Sequence, residues 1–124
     1  MHWPLSYHRV ARPAAQAAEC AEKQGRFGEF VDAIYRNQDS LLLKSWNSFA
    51  KDAGVLDVRG FEACSNAATT FARIDSGAAF AKRWGLRGTP TVLVNGWRFG
   101  AAPQASEMYQ LIDDLLAGKA PARR

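Results

Sequence analysis

Apolar residues recur at helical spacing through most of this chain. Pro13 suits a first helical turn, where its missing N–H costs nothing, and Ala14, Ala17, Ala18 and Ala21 then mark one face up to Gly25. A face made almost wholly of alanine can lie close against a neighbour. Phe27, Phe30, Val31 and Ile34 repeat at i, i+3, i+4 and i+7 and predict a second helix with a bulky core stripe. Trp46, Phe49, Ala50 and Ala53 predict a third, with Gly54 where a left-handed C-terminal cap is needed. Asp57 is a good N-cap for a fourth helix that carries Phe61 and Cys64 on one face. A fifth, from about Thr70, carries Phe71, Ile74, Ala78 and Ala81 and stops at Gly85.

The period then changes. Residues 91–94 are apolar and largely β-branched, Asn95-Gly96 supplies two residues that tolerate positive φ, and residues 97–99 return as a second strand, which predicts a β-hairpin. Met108, Leu111, Ile112 and Leu115 give a last amphipathic helix, ended by Gly118. At the other end His2-Trp3-Pro4-Leu5 is short and apolar. Pro4 cannot donate a ladder hydrogen bond, so this segment is expected as the end of a strand or an edge. The order is a short strand, five helices, a hairpin and a helix, with no internal repeat or linker before the C-terminal tail.

At 124 residues, 48% hydrophobic and 23% charged, the chain has the make-up of one globular domain rather than of a disordered segment. No stretch approaches the roughly 18 consecutive apolar residues of a membrane span. Residues 1–12 hold two His and two Arg and lack the apolar core of a secretory signal, so the chain as written is expected to be cytoplasmic. A net charge of +4 raises nucleic acid as a partner, but the cations are spread from Arg9 to Arg98 with acids between many of them. Only residues 119–124 are distinctly basic, and Ala-Pro-Ala-Arg-Arg reads as a solvated end. No nucleic-acid partner is expected.

The segment Gly85-Leu86-Arg87-Gly88-Thr89-Pro90-Thr91 joins the fifth helix to the hairpin. An X-Pro bond there can be cis at a cost of about 0.5 to 1 kcal/mol, although Thr89-Pro90 taken alone favours an ordinary trans loop. A helix, Gly-Thr-Pro-Thr, a hydrophobic strand, an Asn-Gly turn, a second strand ending in Gly100 and a closing helix together resemble the C-terminal half of a thioredoxin-fold domain. Upstream, Trp3-Pro4-Leu5-Ser6-Tyr7-His8, the run from Ala14 through Cys20 to Ala21, Gln24-Gly25-Arg26-Phe27 and Phe61-Glu62-Ala63-Cys64 resemble the helical insertion of the DsbA-like thiol–disulfide oxidoreductases. The resemblance runs from Trp3 to about Leu116.

It implies a redox enzyme of the cell envelope or periplasm, with a Cys-x-x-Cys pair at a helix N-terminus that stabilises the thiolate. It further implies that Pro90 is a cis-proline beside that pair and that Thr89, before it, holds the substrate backbone. The sequence departs from the family in having no Cys-x-x-Cys, and the family's first strand and active-site helix are expected to lie before Met1. Cys20 and Cys64 each lie inside a predicted helix, so neither has a visible reason for a low thiol pKa. Two buried free cysteines behaving as small apolar residues are one reading. The other is a structural disulfide clamping two helices of the insertion, implied by the resemblance and consistent with an oxidising compartment.

No His or Cys pair falls at a metal-ligand spacing, so His2 and His8 are not expected to hold a metal, and no cofactor is expected. No Gly-x-Ser-x-Gly elbow points to a hydrolase. Of the four tryptophans, at positions 3, 46, 84 and 97, Trp97 in the hairpin is the one expected to be exposed.

The expected fold is α/β, a thioredoxin-like domain over about residues 1–118 with a short N-terminal strand, truncated at its N-terminus. A helical insertion spans about 9–84, the hairpin and last helix about 90–117, and a basic tail 119–124. The expected function is the substrate-binding and helical portion of a DsbA-like oxidoreductase, inactive in exchange for want of Cys-x-x-Cys and acting toward unfolded or Cys-containing polypeptides. The alternative is a non-catalytic peptide-binding or interaction module of the same fold. With a central strand missing, the edge at residues 91–94 is expected to recruit a second copy, to take the chain's own N-terminal segment into the gap, or to leave the chain poorly soluble.

Overall fold

The alanine-rich segment becomes the helix around which the next three helices of the chain pack. The computed structural model describes residues 1–69 and 71–119, so Thr70 and the tail beyond Lys119 lie outside the described residues. In order, the elements are α1 (Ala11–Glu22), α2 (Phe27–Arg36), a 3-10 turn (Gln38–Ser40), α3 (Trp46–Asp52), α4 (Val58–Ser65), α5 (Ala72–Arg83), β1 (Leu93–Val94), β2 (Trp97–Arg98) and α6 (Ala105–Leu116). They form two compact units, Met1–Gly85 and the chain from Leu86 onward.

In the first unit, five consecutive residues of α1, Ala17 to Ala21, are buried, so this half of the helix is enclosed on all sides. Small side chains let α2, α3 and α4 approach it closely, and the bulk comes from those neighbours. Phe30 of α2, Phe49 of α3 and Phe61 of α4 are fully buried around it, each burial contributing about 1.5 to 3 kcal/mol. The rings of Phe30 and Phe61 meet at 5.5 Å between centroids. Polar groups then set the helix ends. The Ser48 N–H donates to Ser45 Oγ at 3.2 Å at the start of α3, and the Gly60 N–H donates to Asp57 Oδ1 at 2.9 Å at the start of α4. Gly54, with φ +74°, ends α3 in the left-handed conformation. At the start of α2, Glu29 titrates below the usual carboxylate range, held there chiefly by a backbone N–H and then by Arg26.

Two links tie α1 to α4. Cys20 and Cys64 form a disulfide with Cα atoms 5.8 Å apart. Just past the end of α1, the Gln24 amide donates to the Asp57 carbonyl at 2.9 Å while its oxygen accepts from the Asp57 N–H at 3.0 Å. Because 20 pairs with 64 and 24 with 57, the helices run antiparallel.

The N-terminal segment is not a strand. The sheet of the described residues has two strands, β1 and β2, and residues 2–5 belong to neither. Pro4 has no N–H for a ladder, the Leu5 carbonyl is taken by the His8 N–H in a turn, and His2 is drawn onto the helices instead. His2 Nε2 donates to Glu19 Oε1 at 2.7 Å, and Arg73 of α5 approaches the other carboxylate oxygen at 3.4 Å. Glu19 is the one charged side chain in the buried set, so these partners offset its desolvation. The His2 carbonyl lies against Gly77 of α5, where a Cβ would run into it. The fifth helix begins at Ala72, with Phe71 as its N-cap.

In the second unit the described residues contain no fully buried side chain. Its helix α6 starts with the Gln104 N–H donating to Glu107 Oε2 at 3.0 Å. Trp97 is half-buried, and Trp84, at the end of α5, is the exposed tryptophan at 62%. Trp97 lines a groove whose other wall is α6. Trp84 follows the last turn of its helix and stacks on Phe80, with ring centroids 5.7 Å apart.

Reducing the disulfide, or replacing both cysteines by alanine, frees a loop of sequence separation 44, for which chain entropy gives a loss of up to about 4 kcal/mol. Urea unfolding with and without reductant measures it, and equal midpoints would show that the bond adds nothing. Gly77→Ala gains helix propensity but forces apart α5 and the His2 carbonyl, for an expected net loss of about 1 to 2 kcal/mol in the same experiment.

Candidate functional site

The loop between α5 and β1 is held by one side chain of its own. The Thr91 hydroxyl donates to the Gly88 carbonyl at 2.6 Å, which folds residues 88–91 into a tight bend at the mouth of β1. The Thr89–Pro90 peptide bond in that bend is cis. Thr89 and Pro90 are both exposed, and among the described residues no hydrogen bond reaches the Thr89 N–H or carbonyl.

The hairpin that follows is short and well specified. Asn95 and Gly96 have φ of +47° and +83°, the pair of left-handed residues that a two-residue turn demands. Leu93 pairs with Arg98 and Val94 with Trp97, and the Phe99 N–H donates to the Val92 carbonyl at 3.1 Å, extending the pairing beyond the two regular positions. Alternation then puts Val92, Val94, Trp97 and Phe99 on one face and Leu93 and Arg98 on the other. Among the described residues β1 bonds to β2 alone. Its outer edge therefore has backbone groups without a partner strand there.

A groove of about 690 Å³ runs between β2, residues 100–103 and α6. Trp97, Phe99 and Leu111 give it an apolar floor, and Arg98, Glu107 and Asp114 border it. Sequence reading did not find this groove; its signal is that Trp97 and Phe99 share a hairpin face while Leu111 shares a helix face with Glu107 and Asp114.

The structure thus brings Cys20 and Cys64 together as a disulfide in the first unit, and Thr89 and Pro90 together in the second. Cys20 is 1% exposed, and among the described residues no cysteine is free, so neither sulfur offers a thiolate in this state. No three His, Cys, Asp or Glu side chains converge as metal ligands do among the described residues. None of the described helices is long and apolar enough to cross a membrane.

Comparison with known proteins bears on the whole of this arrangement. The chain is 30% identical over 115 residues to the Na(+)/H(+) antiporter NhaA 1 of Mycolicibacterium gilvum (strain PYR-GCK), covering 90% of this chain and 18% of that protein. It is 28% identical over 109 residues to the Na(+)/H(+) antiporter NhaA of Herminiimonas arsenicoxydans, covering 88% of this chain and 17% of that protein. The chain therefore spans less than a fifth of the length of the curated relatives it matches. The family model described as thioredoxin matches residues 2–114, from the N-terminal segment through both units to α6. A helical assembly, an Asn-Gly hairpin and a closing helix, matched over that span, make this chain a member of the thioredoxin family.

Proposed function

We propose that this chain is the polypeptide-binding and helical portion of a DsbA-like thiol–disulfide oxidoreductase, with Thr89 and Pro90 as the substrate contact. The observation that carries the reading is Thr89, exposed at the mouth of β1 with neither backbone group bonded within the described residues. An extended polypeptide laid beside it can accept from its N–H and donate to its carbonyl, as one more strand does at a sheet edge. Such bonds read the backbone and not the side chain, which suits binding to unfolded or Cys-containing polypeptides.

Exchange itself needs an accessible thiolate with a resolving partner. Cys20 and Cys64 are joined to each other and Cys20 is sealed in the core, which supports a structural bond and a chain inactive in exchange as it stands. A disulfide of this kind persists in an oxidising compartment, which supports the cell envelope as its setting. The thioredoxin family supports a disulfide-related role in the coarser sense. The relatives favour a second reading, a non-catalytic interaction module of the same fold, because they are named as antiporters and not as oxidoreductases. In either reading the outer edge of β1, with Leu93 39% exposed beside it, is where a second copy would add.

Insulin reduction with dithiothreitol and oxidative refolding of a reduced substrate are expected to proceed at the rate of buffer alone. Turnover that disappears in Cys20→Ser would overturn the structural assignment of the disulfide. Adding a short extended peptide to the labelled protein is expected to shift the Thr89 and Thr91 amide resonances. Shifts confined to residues of the first unit would remove Thr89 from the site.

A further inference from the structure

From Ser76 to Ser106 the chain carries no Asp or Glu, yet it carries Lys82, Arg83, Arg87 and Arg98. Three of these four cations have an evident local setting. Lys82 and Arg83 sit in the last turn of α5, where cations complement the carbonyl end of the helix. Arg98 pairs with Leu93 in the hairpin and borders the groove that Glu107 and Asp114 also line. Arg87 has none. It is exposed, and no hydrogen bond or ion pair reaches it among the described residues. The acids of the described part of its own unit, Glu107, Asp113 and Asp114, all lie on α6.

We propose that Arg87 is a specificity-determining residue that favours polypeptides with an Asp or Glu within about two residues of the position docked at Thr89. The proposal rests on the polypeptide-binding reading and names the side-chain chemistry which that reading leaves open. Two residues of chain span at most about 7 Å, so the Arg87 side chain starts within its own length of Thr89. A strand paired with the Thr89 backbone would present side chains at a similar spacing. A guanidinium offers a planar fork of donors that matches a carboxylate, and its charge is held at every relevant pH. The loop and hairpin hold no acid that would compete with a ligand carboxylate for Arg87.

The test uses the full chain, isotopically labelled, and three capped six-residue peptides of Ser, Val and Thr that differ at one position, Glu, Gln or Lys. Affinity is read from the Thr89 and Thr91 amide shifts. The Glu peptide is expected to bind about threefold tighter than the Gln peptide at low salt, as suits an exposed charge pair, and the Lys peptide weaker than both. The preference is expected to shrink as salt screens the pair. Arg87→Gln should abolish the preference while leaving the Gln peptide's affinity unchanged, and Arg98→Gln should retain it. An unaltered amide spectrum away from the loop shows that each variant is folded. Equal affinity for Glu and Gln peptides, or a preference that survives in Arg87→Gln, overturns the proposal while the polypeptide-binding reading stands. If no peptide moves the Thr89 amide, both fall together.

Discussion

The first unit depends on how closely α1 can be approached. Alanine gives a helix almost no grip of its own, since each methyl buries little area, and the gain comes from what its smallness admits. Phenylalanines from three different helices reach the same enclosed stretch of α1 because nothing on α1 holds them off. That geometry leaves α1 and α4 antiparallel and near enough for two pins of different kinds, a covalent one at Cys20–Cys64 and a reciprocal amide pair at Gln24–Asp57. The amide pair also fixes Asp57, the residue that caps α4. One short helix interface thereby sets both the register of the pair and the starting point of α4.

The second unit is built on the opposite principle. Among its described residues it encloses no side chain fully, and it is specified by local backbone chemistry: two left-handed residues in the turn, a hydroxyl that closes the loop, and a capped helix start. Loops with free backbone groups are where binding concentrates, provided that a regular element holds them in one shape. Here β1 follows the bend, and the bond from the Thr91 hydroxyl to the Gly88 carbonyl closes it around Pro90. The two units differ accordingly: the disulfide packs against alanine and phenylalanine with Cys20 buried, whereas Thr89 is exposed.

What could be read from the residues was what depends on near neighbours. The stripe at Phe27, Phe30, Val31 and Ile34, the caps at Asp57 and Gly54, and the Asn95-Gly96 turn each act within a few positions, so their spacing suffices. The His2 contacts act across distance. His2 meets Glu19 and Gly77 from separate parts of the chain, and nothing in His2-Trp3-Pro4-Leu5 itself distinguishes a segment laid on helices from a strand edge. A glycine inside α5 was the available hint, because it weakens a helix and is retained where backbone comes close. The same limit applied to the tryptophans. Exposure of Trp84 and shelter of Trp97 depend on what packs beside each, which periodicity along one element does not contain. For the cysteines, the residues alone left bonded and free states open, since a pairing depends on where α4 lies relative to α1.

The disulfide also changes what counts as an intact molecule. Between Cys20 and Cys64 the chain passes through Leu42 and Leu43, 82% and 88% exposed and outside any regular element, a stretch open to a protease. A cut there divides the backbone in two, yet the sulfur bridge spans the break and keeps both pieces in one covalent body. Its mass on a non-reducing gel would be that of the uncut protein, and only a reductant would reveal the nick. Covalent continuity of the helical unit is thus independent of the peptide bonds at Leu42 and Leu43.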